Sequence, residues 1–223
     1  MVLQKFYDEN KSIVEIGVDE VGRGPMFGRV YTAAVILPKN DDFDHSQMKD
    51  SKKFTSWKKL LASAEYIKNN CLAYAIAYED EESIDKNNIL NATHLAMHSA
   101  LKKLFNNYNI DSCNDYLILV DGNNFKQLIY FDKESETIKE YNSICITGGD
   151  NKYSAIAAAS ILAKVERDLY IEDLCEKYPK LNEYYDLIKN KGYGTKKHID
   201  GIKEYGITKW HRKSFGICKT SDQ

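Results

Sequence analysis

Apolar and polar positions alternate over residues 13–18, which puts Val14, Ile16 and Val18 on one face of an extended segment, and a β-branched run at 30–37 follows after eleven intervening positions. The two predict adjacent antiparallel strands. Residues 55–69 carry Trp57, Leu60, Leu61, Ala64 and Ile67 at helical spacing behind Thr55, a residue suited to capping. A short, flat apolar run at 71–78 predicts a third strand. The recurrence of Ile89, Ala92, Ala96, Ala100 and Leu104 predicts a helix over 89–108, about five turns long. An unbroken apolar run at 116–120 suits a strand buried on both faces. Short strands are predicted at 125–131 and 143–146, then a helix over 153–178 whose first half, SAIAAASILAKV, is apolar nearly all round and belongs in the interior. Antiparallel strands followed by alternating helices and strands imply an α/β fold, a mixed sheet covered by helices. No internal repeat or low-complexity segment interrupts this order.

Composition bounds the picture without sharpening it. A chain of 223 residues with 43% hydrophobic and 29% charged residues makes one domain of ordinary size with a real core, and excludes a disordered polyelectrolyte. No apolar run approaches the roughly 18 to 20 residues needed to cross a bilayer. The first residues carry Lys5, Asp8 and Glu9 with no signal-peptide core, so the chain is expected to stay in the cytoplasm, away from membranes. Five cysteines (Cys71, Cys113, Cys145, Cys175 and Cys218) form no C-x-x-C pair, which suits small apolar fillers in a reducing compartment.

Charge distribution says more than the net value of −2. From Lys189 to Lys219 the balance is +7, while residues 1–188 sum to −8. An acidic body at 1–188 followed by a basic section at 189–223, rich in Gly192, Gly194, Gly201 and Gly206, suggests a polyanion held by one part and a cation by the other. Tyr193, Tyr205 and Trp210 are interleaved with these cations, as in a nucleic-acid groove. Trp210 reads as an anchor to the body, and Tyr193, between two glycines, as free to meet a ligand.

The acids fall at strand ends. Asp19 and Glu20 close the first strand, Asp121 closes the strand at 116–120, and Asp150 closes a Gly-Gly turn before the buried helix. Neighbouring strands would bring these side chains to one edge, where they repel unless cations neutralise them, and hard divalent ions such as Mg²⁺ or Mn²⁺ take oxygen ligands of this kind. Each acid alone could equally be a turn former or cap. Directly after the first pair, Gly22 and Gly24 permit close backbone approach and Arg23 offers a bidentate phosphate donor.

These segments resemble the type 2 ribonuclease H family, and within it the single-chain ribonuclease HII group. The likeness spans residues 17–215 through GVDEVGRGP, DSKK, VDG, GDNKYSAIAAASILAKVERD, GYGTKKH and HRKSF, in that order. It implies a ribonuclease H-like mixed sheet flanked by helices, with a small basic C-terminal helical or loop section. It also implies active-site acids at Asp19, Glu20, Asp121 and Asp150, a ribonucleotide-recognising segment at Gly22, Arg23 and Gly24, and a junction-sensing tyrosine at Tyr193. Lys52 and Lys53 are phosphate candidates, and the likeness adds Ser160 and Lys164, which share a helix face. Asp168 reads as a member of surface ion pairs, and His94 and His98 as partly buried helix residues. Where the family usually has Gly-Pro after the glycine-rich loop, this chain has Gly28-Arg29, which is expected to add a charge near the nucleic-acid face. The tail after Phe215 lacks the glutamine-plus-aromatic motif that docks on sliding clamps, so no clamp partner is expected, and a monomer is.

The expected activity is a metal-dependent endoribonuclease acting on RNA–DNA hybrids and on ribonucleotides embedded in duplex DNA. The likeness implies cleavage on the 5′ side of the ribonucleotide by two-metal-ion hydrolysis, leaving 5′-phosphate and 3′-hydroxyl ends. A hybrid-binding module without chemistry would lack one of the acids, and another ribonuclease H-like nuclease would not pair Gly22-Arg23-Gly24 with Tyr193.

Overall fold

A computed structural model describes residues 3–10, 12–40, 43–108, 116–132 and 135–220. Cys113 lies outside the described residues. Strands β1 (Val14–Val21), β2 (Val30–Ile36), β3 (Ala73–Glu79), β4 (Tyr116–Asp121) and β7 (Ser143–Ile146) form one sheet in the order β3-β2-β1-β4-β7. The β1–β2 and β2–β3 pairs are antiparallel, and β1–β4 and β4–β7 are parallel. Helix α1 (Trp57–Asn70) precedes β3, and α2 (Glu81–Tyr108) follows it. A separate hairpin, β5 (Ile129–Asp132) with β6 (Thr137–Glu140), stands between β4 and β7. The chain then runs through α3 (Ser154–Lys177), α4 (Lys180–Tyr185), α5 (Leu187–Asn190) and α6 (Lys196–Tyr205). Among the described residues no helix is long and apolar enough to cross a membrane.

The period-two pattern of the strands decides what each sheet face buries. Ile16, Val18, Ala34, Ile36, Ile118 and Val120 pack under α2, whereas Ala33 and Val35 pack under α1 and α3. The Ala-rich half of α3 sits so close to β1 that a Cβ on Gly17 would fall 2.1 Å from the carbonyl carbon of Ala155. Small residues on both partners set this spacing, and it brings the start of α3 to the C-terminal ends of β1 and β4.

Several boundaries differ from the pattern. β1 continues through Val21, so Asp19 and Glu20 lie within the strand rather than at its end. Ser56, not Thr55, caps α1, its hydroxyl accepting from Lys59 N at 3.3 Å. α2 begins at Glu81 and kinks at Asn88 (φ 65°), whose side chain accepts from Asn91 N at 3.1 Å and starts the segment that the apolar spacing revealed. β6 is exposed at every position, so it has no alternation to find. Cys145 is exposed on β7 and is no apolar filler.

The C-terminal elements dock through their own cluster. Leu181, Tyr185, Leu187, Ile202 and Cys218 pack with Ile171 and Cys175 of α3 and with Met26 and Phe27 after β1. Trp210 contributes as an anchor, its ring 4.9 Å from Tyr178 and 6.4 Å from Phe27. Tyr205 stacks on Tyr184 at 3.9 Å and stays exposed.

Candidate active site

Parallel pairing of β1 with β4 sets Val18 beside Val120, so the next residues along, Asp19 and Asp121, are neighbours at the C-terminal ends. Being consecutive on one strand, Asp19 and Glu20 leave opposite faces of the sheet. Asp19 faces α3, where Ser160 hydrogen-bonds to it. Glu20 faces α2 and lines a cavity of about 180 Å³ with Thr93, His94, Asn123 and Asn124. Asp121 borders that cavity and also a larger cleft of about 400 Å³, which Asp19, Glu20, Lys52 and Tyr193 line as well.

Burial of these acids makes negative charge expensive. Asp19 is 4% exposed, and its carboxyl is raised well above the usual range, first by burial, then by Glu20 and Asp121, against the hydrogen bonds from Ser160 and from Glu20 N at 2.7 Å. Glu20 is raised by burial, with Arg23, 3.3 Å away, opposing. Asp150 is raised by burial, then by Asp121 and Asp50. Burial disfavours the charged form of Lys52, yet the combined pull of Asp150, Asp50, Asp19 and Asp121 raises its pKa. Carboxylates held together against desolvation and mutual repulsion suit a hard divalent cation with oxygen ligands. Among the described residues no group of three or more Asp, Glu, His or Cys side chains is arranged to hold a metal ion by itself.

Asp150 and Lys53 flank the cleft without lining it. Gly148, in the left-handed region at φ 65°, turns the chain so that Gly149 N donates to Asp121 Oδ1 at 2.6 Å. Asp150 follows, held by Asn151 Nδ2 at 3.0 Å; the same amide reaches Asp50 Oδ2 at 3.2 Å, and Asn151 Oδ1 accepts from Lys53. Asp50, within the DSKK motif, is thus a buried acid beside the site that the strand-end criterion missed. Ser160 and Lys164 do line the cleft, Ser160 3.0 Å from the Ser51 hydroxyl and Lys164 bonded to Asp168 at 2.7 Å. Asp168 makes the expected (i, i+4) pair but is buried at 5% exposure, not on the surface, because α3 is covered along most of its length.

The opposite bank is the loop after β1. Gly22 takes φ +98°, and a Cβ there would meet Arg167 Nε at 2.2 Å. Arg212 donates to the carbonyls of Gly22 (2.6 Å), Arg23 (3.1 Å) and Gly28 (2.8 Å), and Arg167 to those of Phe27 and Arg29, both at 3.1 Å. Both guanidinium groups are fully buried, and burial lowers the Arg212 pKa to about 9, the positive charge of Arg167 adding to the effect. In a trans peptide the C=O and the following N–H point oppositely. With the Gly22 and Arg23 carbonyls engaged by Arg212, the Arg23 and Gly24 amides point away from that guanidinium, in a loop that lines the cleft. Tyr193, 47% exposed, closes this bank, with its Cε1 3.2 Å from where a Gly24 Cβ would stand.

Sequence reasoning counted Arg212 within the charge of the basic section and did not single out Arg167. The Arg29 guanidinium lies 3.9 Å over the Tyr78 ring and 4.4 Å over that of Tyr170, and Arg29 is not among the residues lining the cleft. His94 and His98 are helix residues packed on Phe125, as expected, although His94 also borders the Glu20 cavity.

With this geometry in hand, the chain can be set beside known proteins. The family model described as Ribonuclease HII matches residues 16–218. A ribonuclease HII of Phocaeicola vulgatus is 42% identical over 214 residues, covering 96% of this chain and 94% of that protein. One from Bacteroides thetaiotaomicron is 44% identical over 208 residues, covering 93% and 92%. The crystal structure of ribonuclease H2 from Pyrococcus horikoshii OT3 superposes with a TM-score of 0.71 at 22% identity, over 94% of this chain and 97% of that one, a likeness of fold.

Proposed function

The chain belongs to the ribonuclease HII family, a family of metal-dependent endoribonucleases, and from that membership we propose that it hydrolyses the RNA strand of RNA–DNA hybrids and cuts on the 5′ side of ribonucleotides embedded in duplex DNA. The observation that carries the finer part is a single cleft with two unlike banks. Asp19, Glu20 and Asp121 line one, and the Gly22–Gly24 loop with Tyr193 lines the other.

Asp19, Glu20, Asp121 and Asp150 are the residues to hold Mg²⁺ or Mn²⁺, two ions in the full reading, and the raised pKa values of Asp19, Glu20 and Asp150 mark these three as groups that gain from a cation. When bound, such ions neutralise the scissile phosphate, activate the attacking water and stabilise the leaving 3′ oxygen. The protein's own share is positioning. The Arg23 and Gly24 amides meet the phosphate and 2′-hydroxyl of the ribonucleotide, a group that is both donor and acceptor and that DNA lacks. Lys52 sits beside the acids as a counter-charge for the adjacent phosphate. Lys164, tied to Asp168, gives a second, oriented positive charge, and Ser160 keeps a hydroxyl on Asp19. The basic section 189–223 holds the flanking duplex.

Cleavage of end-labelled duplexes carrying zero, one or four ribonucleotides tests this. Cuts on the 5′ side of the single ribonucleotide, with 5′-phosphate products and no cutting of the all-DNA duplex, support it. Cutting of the four-ribonucleotide duplex alone would restrict the activity to continuous hybrids.

A further inference from the structure

His198 and His211 form a buried pair beside Tyr193, and the cleft chemistry above does not use either. Their exposures are 0% and 1%, and their Nε2 atoms stand 3.1 Å apart. The contacts at both ends fix the protons. Thr208 N–H can only donate and lies 2.9 Å from His211 Nδ1, so that nitrogen is an acceptor. The neutral His211 ring therefore carries its proton on Nε2 and donates it to His198 Nε2. His198 then carries its proton on Nδ1, 3.0 Å from the carbonyl oxygen of Tyr193, which can only accept. Both ends demand the same direction. A second proton on either ring would set two donors against each other, in keeping with the depression of both pKa values by burial, His211 to about 3.

The relay ends on the main chain of the residue whose ring covers Gly24. Tyr193 O also accepts from Thr195 N at 2.8 Å, and Gly192 O accepts from Met26 N at 2.9 Å, so the tyrosine is pinned to the loop after β1 on one side and to the histidines on the other. His211 itself pairs with Phe27 in an isolated antiparallel bridge. We propose that His198, held in its Nδ1–H tautomer by His211, is a positioning residue that sets Tyr193 over Gly24 and thereby sharpens recognition of a ribonucleotide followed by deoxyribose. The inference rests on the junction-reading role proposed above.

Two conservative variants separate positioning from packing. In His198→Asn the amide nitrogen falls near the original Nδ1 and keeps the donor to Tyr193. In His198→Gln the amide falls near Nε2 and loses that donor. The readout is the ratio of cleavage rates on a duplex with one embedded ribonucleotide and on a continuous hybrid, with melting temperature measured alongside. The Gln variant should lose roughly threefold to tenfold in that ratio, the worth of about one hydrogen bond, and the Asn variant much less. In a Tyr193→Ala background the Gln substitution should change the ratio no further. Equal losses in both variants that follow melting temperature, or a Gln effect that survives in Tyr193→Ala, would overturn the proposal. Should either variant fail to fold, ¹⁵N NMR of the unaltered protein decides. Protonated Nδ1 on His198 with protonated Nε2 on His211 is required, and any other tautomer pair overturns the relay. Unaltered protein that cuts no ribonucleotide-containing duplex defeats the activity itself, whereas normal cutting with unmoved variant ratios defeats this inference alone.

Discussion

On the sheet side of the cleft, Asp19, Glu20 and Asp150 are buried acids with raised pKa values, whereas on the loop side Arg167 and Arg212 are buried cations spent on main-chain carbonyls. The two banks store unbalanced charge of opposite sign, and the difference lies in what relieves it. The acids repel one another, and under the proposed function a cation from outside would relieve them. The guanidinium groups are already satisfied by five carbonyls, and their energy is invested in the shape of the loop. One bank should therefore gain stability when its charge is removed, and the other should lose it.

The largest expected effect tests the acid bank. Asp121→Asn keeps the shape but removes one negative ligand, so cleavage in saturating Mg²⁺ should fall by orders of magnitude. The metal-free melting temperature should hold or rise, because repulsion on Asp19 and Asp150 is relieved. Near-normal cleavage would remove Asp121 from the site.

Arg212→Met should do the reverse. It fills similar space but leaves the carbonyls of Gly22, Arg23 and Gly28 unpaired, at a cost of about 3 kcal/mol or more in unfolding free energy by denaturant titration. An unchanged stability would mean that the loop holds itself. Because Arg212 lies in the section 189–223, deleting that section would collapse the loop together with the basic surface. Single lysine replacements are therefore the cleaner probe of salt-dependent binding.

This contrast also explains what could be seen in advance. The acid bank is a product of topology: strand periodicity located β1 and β4, and acids next to their ends were visible as such. The loop bank depends on contacts between residues about 190 positions apart, such as Arg212 with Gly22, and no periodicity encodes them. In composition, Arg212 is one more cation in a basic tail. Arg167 stands inside an alternation of charges on α3 and looks like surface. The HRKSF motif was a signal for Arg212, since an arginine that far from the other motifs needs a reason, but burial is what reveals its task. The face assignment of Glu20 was missed because the alternation was followed only to Val18, three residues short of the end of β1, and with it the cavity shared with His94.

A pH series sharpens the comparison with a smaller effect. A carboxyl whose folded pKa is raised stabilises the folded state fully below its unfolded value of about 4 and loses that contribution as pH climbs through the folded value. For Asp19, Glu20 and Asp150 the metal-free protein should thus lose stability as pH rises above about 4. His198 and His211, with depressed pKa values, act in the opposite direction, since their contribution is lost as pH falls below about 6.5. The acid share is isolated as the difference between the unaltered protein and Asp19→Asn. The variant should show the flatter decline between pH 5 and 8, and saturating Mg²⁺ should flatten the decline of the unaltered protein as well. Parallel curves would show that Asp19 titrates alike in both states.

The smallest effect is expected where the two banks meet the substrate together. Tyr193→Phe keeps the ring against Gly24 and removes the hydroxyl, which in the proposed reading would hydrogen-bond to the substrate, so the rate should drop roughly threefold to tenfold. Tyr193→Ala loses the ring as well and should cost more. The division between substrates is the informative part. In the proposed reading, phosphate and 2′-hydroxyl contacts from the Arg23 and Gly24 amides would serve a continuous hybrid and a single ribonucleotide alike, whereas a ring packed on the following sugar would distinguish ribose from deoxyribose. The Ala variant should therefore lose more on the single embedded ribonucleotide than on the continuous hybrid, measured at one salt concentration so that electrostatic binding cancels. Equal losses on both substrates would assign the discrimination to the loop alone, and the tyrosine would then contribute binding without selectivity.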